Sequence, residues 1–150
     1  MIAYLADTNC LLRWAQPQHS IYPLARAAVG ELQRRGEDVC ITPQNLIEFW
    51  NVATRPADRN GFGFTPADAD QELTRLESLF LLLPDSPAIY GAWRRLVASV
   101  GVSGVQVHDA RLAAVMQVYG LTHILTFNTT DFLRYPGITV VHPQDVTPAP

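Results

Sequence analysis

Four carboxylates stand in or beside apolar stretches, where a packed core normally excludes charge. Asp7 and Asp131 come after apolar runs, Glu48 interrupts one, and Asp109 opens one. An ionised carboxylate in apolar surroundings is costly unless it is paired or binds a metal. The chain has no lysine, and its cysteines and histidines form no sequence cluster. We therefore predict that the four acids converge on one site for a hard divalent cation, Mg²⁺ or Mn²⁺.

The elements that must position these acids alternate along the chain. Short apolar runs predict strands at residues 2–6, 39–41, 123–127 and 139–141, and residues 80–83 favour a further short strand. Helical spacing fills the segments between them, including a helix from His19 to Arg35. A later helix is predicted to have Tyr90, Trp93, Val97 and Val100 on one apolar face. Proline follows Thr42, Thr65 and Ser86 at three predicted helix starts, and glycine stands at three predicted ends. This alternation predicts a three-layer α/β/α fold with a mainly parallel central sheet.

The predicted sheet brings acids to one edge. Ligands of open parallel sheets bind at the carboxyl ends of the strands. Asp7 and Asp131 follow strands, and Glu48 lies two turns into the helix that leaves the second strand. Three of the acids therefore reach the same edge by separate routes. Asp109, near a helix start, is compatible with that edge, although spacing alone does not place it there.

Four motifs resemble those of one protein family. Asp7-Thr8-Asn9, the helical Glu48, His108-Asp109-Ala110 and the stretch 126–132 resemble the PIN-domain ribonucleases. Residues 48–56 look like the VapC-type toxins of bacterial toxin–antitoxin pairs. The resemblance covers essentially the whole chain. It implies one PIN-like nuclease domain over residues 1–146, and we expect the tail 147–150 to fray.

The resemblance also implies an activity and partners. Asp7, Glu48, Asp109 and Asp131 would bind Mg²⁺ or Mn²⁺ and cleave RNA, with Thr8 and Asn128 orienting water or carboxylates. Metal ions held by carboxylates acidify water and stabilise charge that develops on phosphate, so the chemistry fits. The family further implies a homodimer and an antitoxin that wraps around the toxin. The number of metal ions stays open.

Net charge is −3, so the chain is not a globally basic nucleic-acid binder. Without the four singled-out acids, however, eleven arginines face ten acids. Bound cations would allow arginines to contact phosphate locally. The candidates are Arg13, Arg55 and Arg111, together with Arg59 and Arg134. Taken singly, each is more simply interpreted as an ordinary surface arginine.

Each acid also has a purely structural interpretation. Asp7 would cap a helix, Glu48 would be a solvated helix residue, Asp109 would favour a helix dipole, and Asp131 would lie in a turn. A phosphoacceptor receiver domain normally needs a lysine, which is absent, and a haloacid-type phosphatase needs Asp-x-Asp, where this chain has Asp7-Thr8-Asn9. Two alternatives stay open: a PIN nuclease of RNA maturation that is not a toxin, and a catalytically inactive binding module.

The sequence also indicates a compartment. No signal peptide is evident, and no apolar run approaches the roughly 20 residues of a membrane helix. Cys10 and Cys40 lie in apolar runs and are interpreted as reduced core residues. The three tryptophans are interpreted as core or interface residues. We expect a cytoplasmic protein with no membrane partner.

Overall fold

A single parallel sheet organises the molecule. The computed structural model describes residues 2–146, so the tail predicted to fray at 147–150 lies outside the described residues. The described strands pair in parallel in the order β3-β2-β1-β4-β5. They are β1 (Ala3–Ala6), β2 (Asp38–Ile41), β3 (Leu81–Leu82), β4 (His123–Leu125) and β5 (Thr139–Val141).

Helices cover both faces of this sheet. The described α-helices are α1 (Thr8–Trp14), α2 (Tyr22–Arg34), α3 (Pro43–Thr54), α4 (Pro66–Leu79), α5 (Ala88–Val100) and α6 (Val107–Tyr119). None of them is long and apolar enough to cross a membrane.

Alternation along β1 divides the core in two. Tyr4 and Ala6 point into a buried cluster formed with helices α1 to α4. Leu5, between them, points into the opposite cluster with α5 and α6. Successive side chains of a strand face opposite sides of the sheet, so one strand supplies both cores. The predicted three-layer α/β/α fold is confirmed.

Local signals fix the ends of the helices that carry the site. The Thr42 hydroxyl accepts a hydrogen bond from the Asn45 backbone N–H, and the Asn45 side chain accepts one from the Thr42 backbone N–H. This reciprocal cap and Pro43 start α3 directly after β2. Gly120 ends α6 at φ 72°, a left-handed conformation that glycine adopts without strain.

Three predicted details differ from the structure. Helix α2 begins at Tyr22 rather than His19, because the His19 ring accepts a hydrogen bond from the Ile21 backbone N–H and holds a turn there. Strand β4 ends at Leu125 rather than at residue 127. On α5, spacing predicts Tyr90 on the apolar face, but the exposed fraction of this residue is 65%. Cys10 and Cys40 are buried and free, as predicted.

Candidate active site at the carboxyl edge of the sheet

Asp7 lies between the end of β1 and the start of α1, with both carboxylate oxygens engaged. Its Oδ1 accepts a hydrogen bond from the Thr8 backbone N–H at 2.8 Å. Its Oδ2 accepts one from the Thr126 hydroxyl at 2.8 Å and one from the Asn9 amide at 3.3 Å. Since Asp7 is only 7% exposed, these bonds replace most of its hydration.

A polar connection joins the loops that follow β1 and β4. The Asn9 amide donates to the Thr126 hydroxyl, and the Asn9 carbonyl oxygen accepts from the Phe127 backbone N–H. That bond takes Phe127 out of the strand pattern, which explains the early end of β4. Thr126 is fully buried and also accepts from the Asn128 backbone N–H at 3.0 Å. The neighbouring strands β1 and β4 are therefore tied together at the edge where Asp7 lies.

Glu48 is held against the same edge from α3. The Thr8 hydroxyl donates to Glu48 Oε1 at 2.7 Å and accepts from the Asn45 side-chain amide at 3.1 Å. Asn45 is itself fixed by the cap at the start of α3. Thr8, which was predicted to support the acids, thus contacts Glu48 directly through its side chain and Asp7 through its backbone.

Gln44 connects α3 with α6. Its amide nitrogen donates to the His108 backbone carbonyl at 2.8 Å and lies 3.4 Å from Glu48 Oε2. Its carbonyl oxygen accepts from Arg111 at 3.1 Å, and Arg111 also donates to Asp85 at 3.2 Å. Because Asp109 follows His108, this contact sets the distance between the helices that carry Glu48 and Asp109.

The acids influence one another electrostatically. Burial raises the pKa of Asp7 to about 7, aided by the charges of Asp109 and Glu48, while bonds from Thr126 and Thr8 oppose the rise. Burial also raises the pKa of Asp109 to about 6, with further contributions from Asp131 and Glu48. The predicted acids therefore form one electrostatic group at this edge, and clustered carboxylates are disfavoured without a compensating cation.

Asp131 and Asn128 lie in the loop after β4. Asp131 is exposed in the 3-10 turn Thr129–Phe132, and its backbone N–H donates to the Asn128 carbonyl at 3.1 Å. Asn128 joins the network through its backbone N–H, and its exposed side chain has no hydrogen bond within residues 2–146. Its predicted role as a polar support stays a prediction.

The candidate arginines are distributed unevenly around the acids. Arg111 reaches the site through Gln44, and the charge of Arg134 lowers the pKa of Asp109. Arg13 donates to Gln16 at 2.6 Å, at the far end of α1 from Asp7. Arg55 and Arg59 follow the carboxyl end of α3, away from the Glu48 turn. Arg111 and Arg134 are therefore the two that the fold brings to the acidic group.

The carboxylate oxygens of this site are suitable ligands for a hard cation, although they do not form a closed cage around one. Within residues 2–146, no three histidine, cysteine, aspartate or glutamate side chains are arranged to hold a metal ion. Mg²⁺ does not require such a cage, since it keeps several waters and is held by one or two carboxylates together with substrate phosphates. Asp7 and Asp109 could hold such a cation, since a nearby positive charge would lower the raised pKa values of both carboxyl groups.

Sequence patterns did not single out three residues of this site: Gln44, Asn45 and Thr126. Thr126 is the first polar residue after the apolar run of β4, a signal that the run itself offered. Asn45 lies three residues after Thr42, the spacing of a reciprocal cap. Gln44 has no such signal, because its role depends on the packing of α3 against α6.

Sequence comparison identifies the family. The PIN domain matches residues 4–138, which run from β1 through β4, end just before β5 and carry all four acids. The protein belongs to the PIN domain family. Proteins of this family that act as nucleases generally use divalent metal ions. No curated protein matches the chain.

Solved structures with the same fold include several toxin–antitoxin proteins. VapBC2 from Rickettsia felis, bound to a promoter DNA fragment, has a TM-score of 0.69 at 15% identity and covers 94% of this chain and 98% of its own. DNA-bound VapBC from Salmonella typhimurium has a TM-score of 0.64 at 23% identity, covering 95% and 99%. VapC20 from Mycobacterium tuberculosis, a sarcin–ricin loop cleaving toxin, has a TM-score of 0.57 at 18% identity, covering 81% and 86%. At these identities, the likeness establishes the fold.

Proposed function

We propose that this protein is a divalent-metal-dependent endoribonuclease and the toxin of a toxin–antitoxin pair. The observation that carries the proposal is the group of four acids at the carboxyl edge. Within this group, neighbouring carboxylates contribute to the raised pKa values of Asp7 and Asp109. Perturbed carboxyl groups that gather in a cleft are typical of catalytic sites. The family match supports the same reading, since its members include nucleases.

In this proposal, Asp7 and Asp109 hold Mg²⁺ or Mn²⁺, and Glu48 and Asp131 complete the set. Such a cation relieves negative charge on the scissile phosphate and supplies a more acidic water. Thr126 and Thr8 orient the carboxylates of Asp7 and Glu48, and their hydrogen bonds favour the ionised form that binds a cation.

The substrate and partners are proposed on the same basis. A structural neighbour cleaves the sarcin–ricin loop, so RNA is the proposed substrate. Other neighbours are VapBC complexes, which supports an antitoxin partner for this chain. The homodimer is proposed from the family resemblance alone. We place its action in the cytoplasm, where both RNA and antitoxin are made.

Cleavage of RNA by the purified protein tests the proposal. We expect endonucleolytic cuts with Mg²⁺ or Mn²⁺, no cuts with EDTA, and no cuts by Asp109→Asn under either condition; sequencing of the cut ends maps the sites. Equal RNA cleavage with divalent metal and with excess EDTA would contradict the metal mechanism. An absence of cleavage with every divalent metal would favour the inactive binding module.

A PIN nuclease of RNA maturation shares this site and fold. The low identity to the toxin structures establishes no biological role, so this remains the second candidate. A short gene directly upstream that encodes a DNA-binding protein would favour the toxin.

A further inference from the structure

An apolar cavity adjoins the acidic site on the α5 side. It has a volume of about 460 Å³, and its lining includes Tyr90, Trp93, Val107, His108 and Arg111. His108 and Arg111 also line the neighbouring cleft that contains Glu48 and Gln44. The two spaces therefore lie side by side and share one wall. A volume of this size, mostly apolar with a few polar groups, is typical of a ligand-binding site.

The aromatic wall of this cavity is held in place. The Trp93 indole N–H donates to the Val107 carbonyl at 2.9 Å, which fixes the ring against the start of α6. The Tyr90 ring lies 6.0 Å from the Trp93 ring at an interplanar angle of 31°. Tyr90 is nevertheless 65% exposed, so a broad ring surface remains open beside the acidic cleft.

Two arginines, Arg94 and Arg111, lie near the Tyr90 ring. Arg111 lies in the wall shared by both spaces, and its ion pair with Asp85 is partly exposed, so the pair is weak enough to exchange partners. Arg94 is one helical turn from Tyr90 on the same face of α5, is exposed, and makes no ion pair within residues 2–146. An aromatic ring flanked by arginines is the arrangement that stacks a base and contacts its phosphates.

We propose that this cavity is a nucleobase subsite: Tyr90 stacks an unpaired base of the RNA next to the scissile phosphate, and Arg94 and Arg111 contact the adjoining phosphates. The inference rests on the proposed function and deepens it. It predicts a preference for single-stranded or looped RNA, because a base within a duplex cannot leave its stack without cost.

The test measures RNA binding in an Asp7→Asn background, which keeps the RNA intact. Single-stranded oligoribonucleotides carry 2-aminopurine at successive positions, whose fluorescence reports stacking. We expect one position to stack, and Tyr90→Ala to abolish that signal and raise the Kd about 5- to 150-fold, the range for loss of one base–aromatic stack. Tyr90→Phe should retain both, and Leu79→Ala, an exposed apolar residue on α4, is the matched control.

A salt titration tests the phosphate contacts. Arg94→Gln should lower the slope of log Kd against log salt concentration by about 0.7, the value for one phosphate contact on a single strand. An unchanged slope would remove Arg94 from the subsite.

Other outcomes separate this inference from the proposed function. Unchanged affinity and unchanged 2-aminopurine fluorescence in Tyr90→Ala, while the unmutated protein cleaves RNA, would overturn the subsite alone. Tyr90-dependent stacking in a protein that cleaves no RNA would overturn the nuclease and keep the subsite. If sedimentation shows that Tyr90→Ala converts a dimer to monomers, the cavity is a surface for a second copy and the proposal fails.

Discussion

The two oxygens of Asp7 take on different tasks. Oδ1 accepts the bond from the Thr8 backbone N–H at the start of α1, so the structural interpretation of Asp7 as a helix cap is realised. Oδ2 accepts from Thr126 and Asn9 and belongs to the edge where the other acids gather. One residue therefore both starts a helix and contributes to the candidate site.

Asp7→Asn separates these tasks. We expect the variant to lose RNA cleavage, because an amide is a poor ligand in place of a carboxylate. In chelator, we expect it to be at least as stable as the unmutated protein, since it keeps the cap and removes a buried charge. Cleavage assays and thermal melts of both proteins check this. A large loss of stability without metal would mean that Asp7 is mainly structural.

The pH dependence of stability follows from the same residue. The pKa of Asp7 is raised from 3.8 to about 7 by folding, so its carboxyl group keeps a proton that the unfolded chain releases. Its contribution is fully present below about pH 4 and is lost as pH rises towards 7, at a cost on the order of 4 kcal/mol. In EDTA, the melting temperature of the unmutated protein should therefore fall between pH 5 and 8 more steeply than that of Asp7→Asn. Parallel curves would contradict this.

Thr126 is the second residue whose role can be isolated. Thr126→Val removes the hydroxyl that donates to Asp7, so the pKa of Asp7 should rise further and the acidic limb of the pH–rate profile should move to higher pH. We expect cleavage to fall about 10- to 100-fold, as for other residues that orient a metal ligand. Thr139→Val, at an exposed position in β5, is the control. An unshifted profile would exclude a role through Asp7.

At the scale of elements, Gln44 links α3 to α6. It contacts the His108 carbonyl, Arg111 and the Glu48 carboxylate, so it joins the helices that carry two of the acids. We expect Gln44→Met, which keeps the length but not the polar atoms, to weaken Mn²⁺ binding measured by calorimetry and to lower cleavage about tenfold. Gln117→Met, exposed near the end of α6, is the control. Equal Mn²⁺ affinity in both variants would refute this role.

Elements whose signals are local could be predicted from the sequence. The cap at Thr42, the proline after it and the apolar run of β1 each specify a boundary within a few residues, and the structure has those boundaries. Features that depend on tertiary contacts could not. The Asn9 bond that ends β4 joins residues 118 positions apart, and Gln44 contacts His108 across 64.

The same limit applied to side-chain orientation on α5. Spacing placed Tyr90 with Trp93 and Val97, but the helix buries Ile89, Ala92 and Leu96 most deeply, which leaves Tyr90 exposed. This helix carries apolar residues on several of its faces. Periodicity alone therefore does not decide whether the buried face contains Tyr90 or the residue before it. That one-position difference creates the proposed nucleobase subsite.

At the scale of the whole molecule, the proposed toxin function predicts an effect on bacterial growth. Expression of the protein alone should arrest bacterial growth, and Asp109→Ala at the same level should not, because the acidic group loses a carboxylate near the scissile phosphate. Co-expression of an antitoxin encoded beside the gene should restore growth. Colony counts with matched immunoblots check this. Harmless expression of an unmutated protein that is active in vitro would favour the RNA-maturation nuclease.

The strand order also has a consequence for synthesis on the ribosome. The central strand β1 is made first, but one of its neighbours is β4, and Tyr4 pairs with His123 across most of the chain. Contacts this distant in sequence form late, and a nascent chain cannot form them before the partner emerges. Nascent chains stalled before residue 123 should therefore be protease-sensitive and inert towards RNA. Under the proposed function, RNA-cleaving activity would thus appear only when translation is nearly finished.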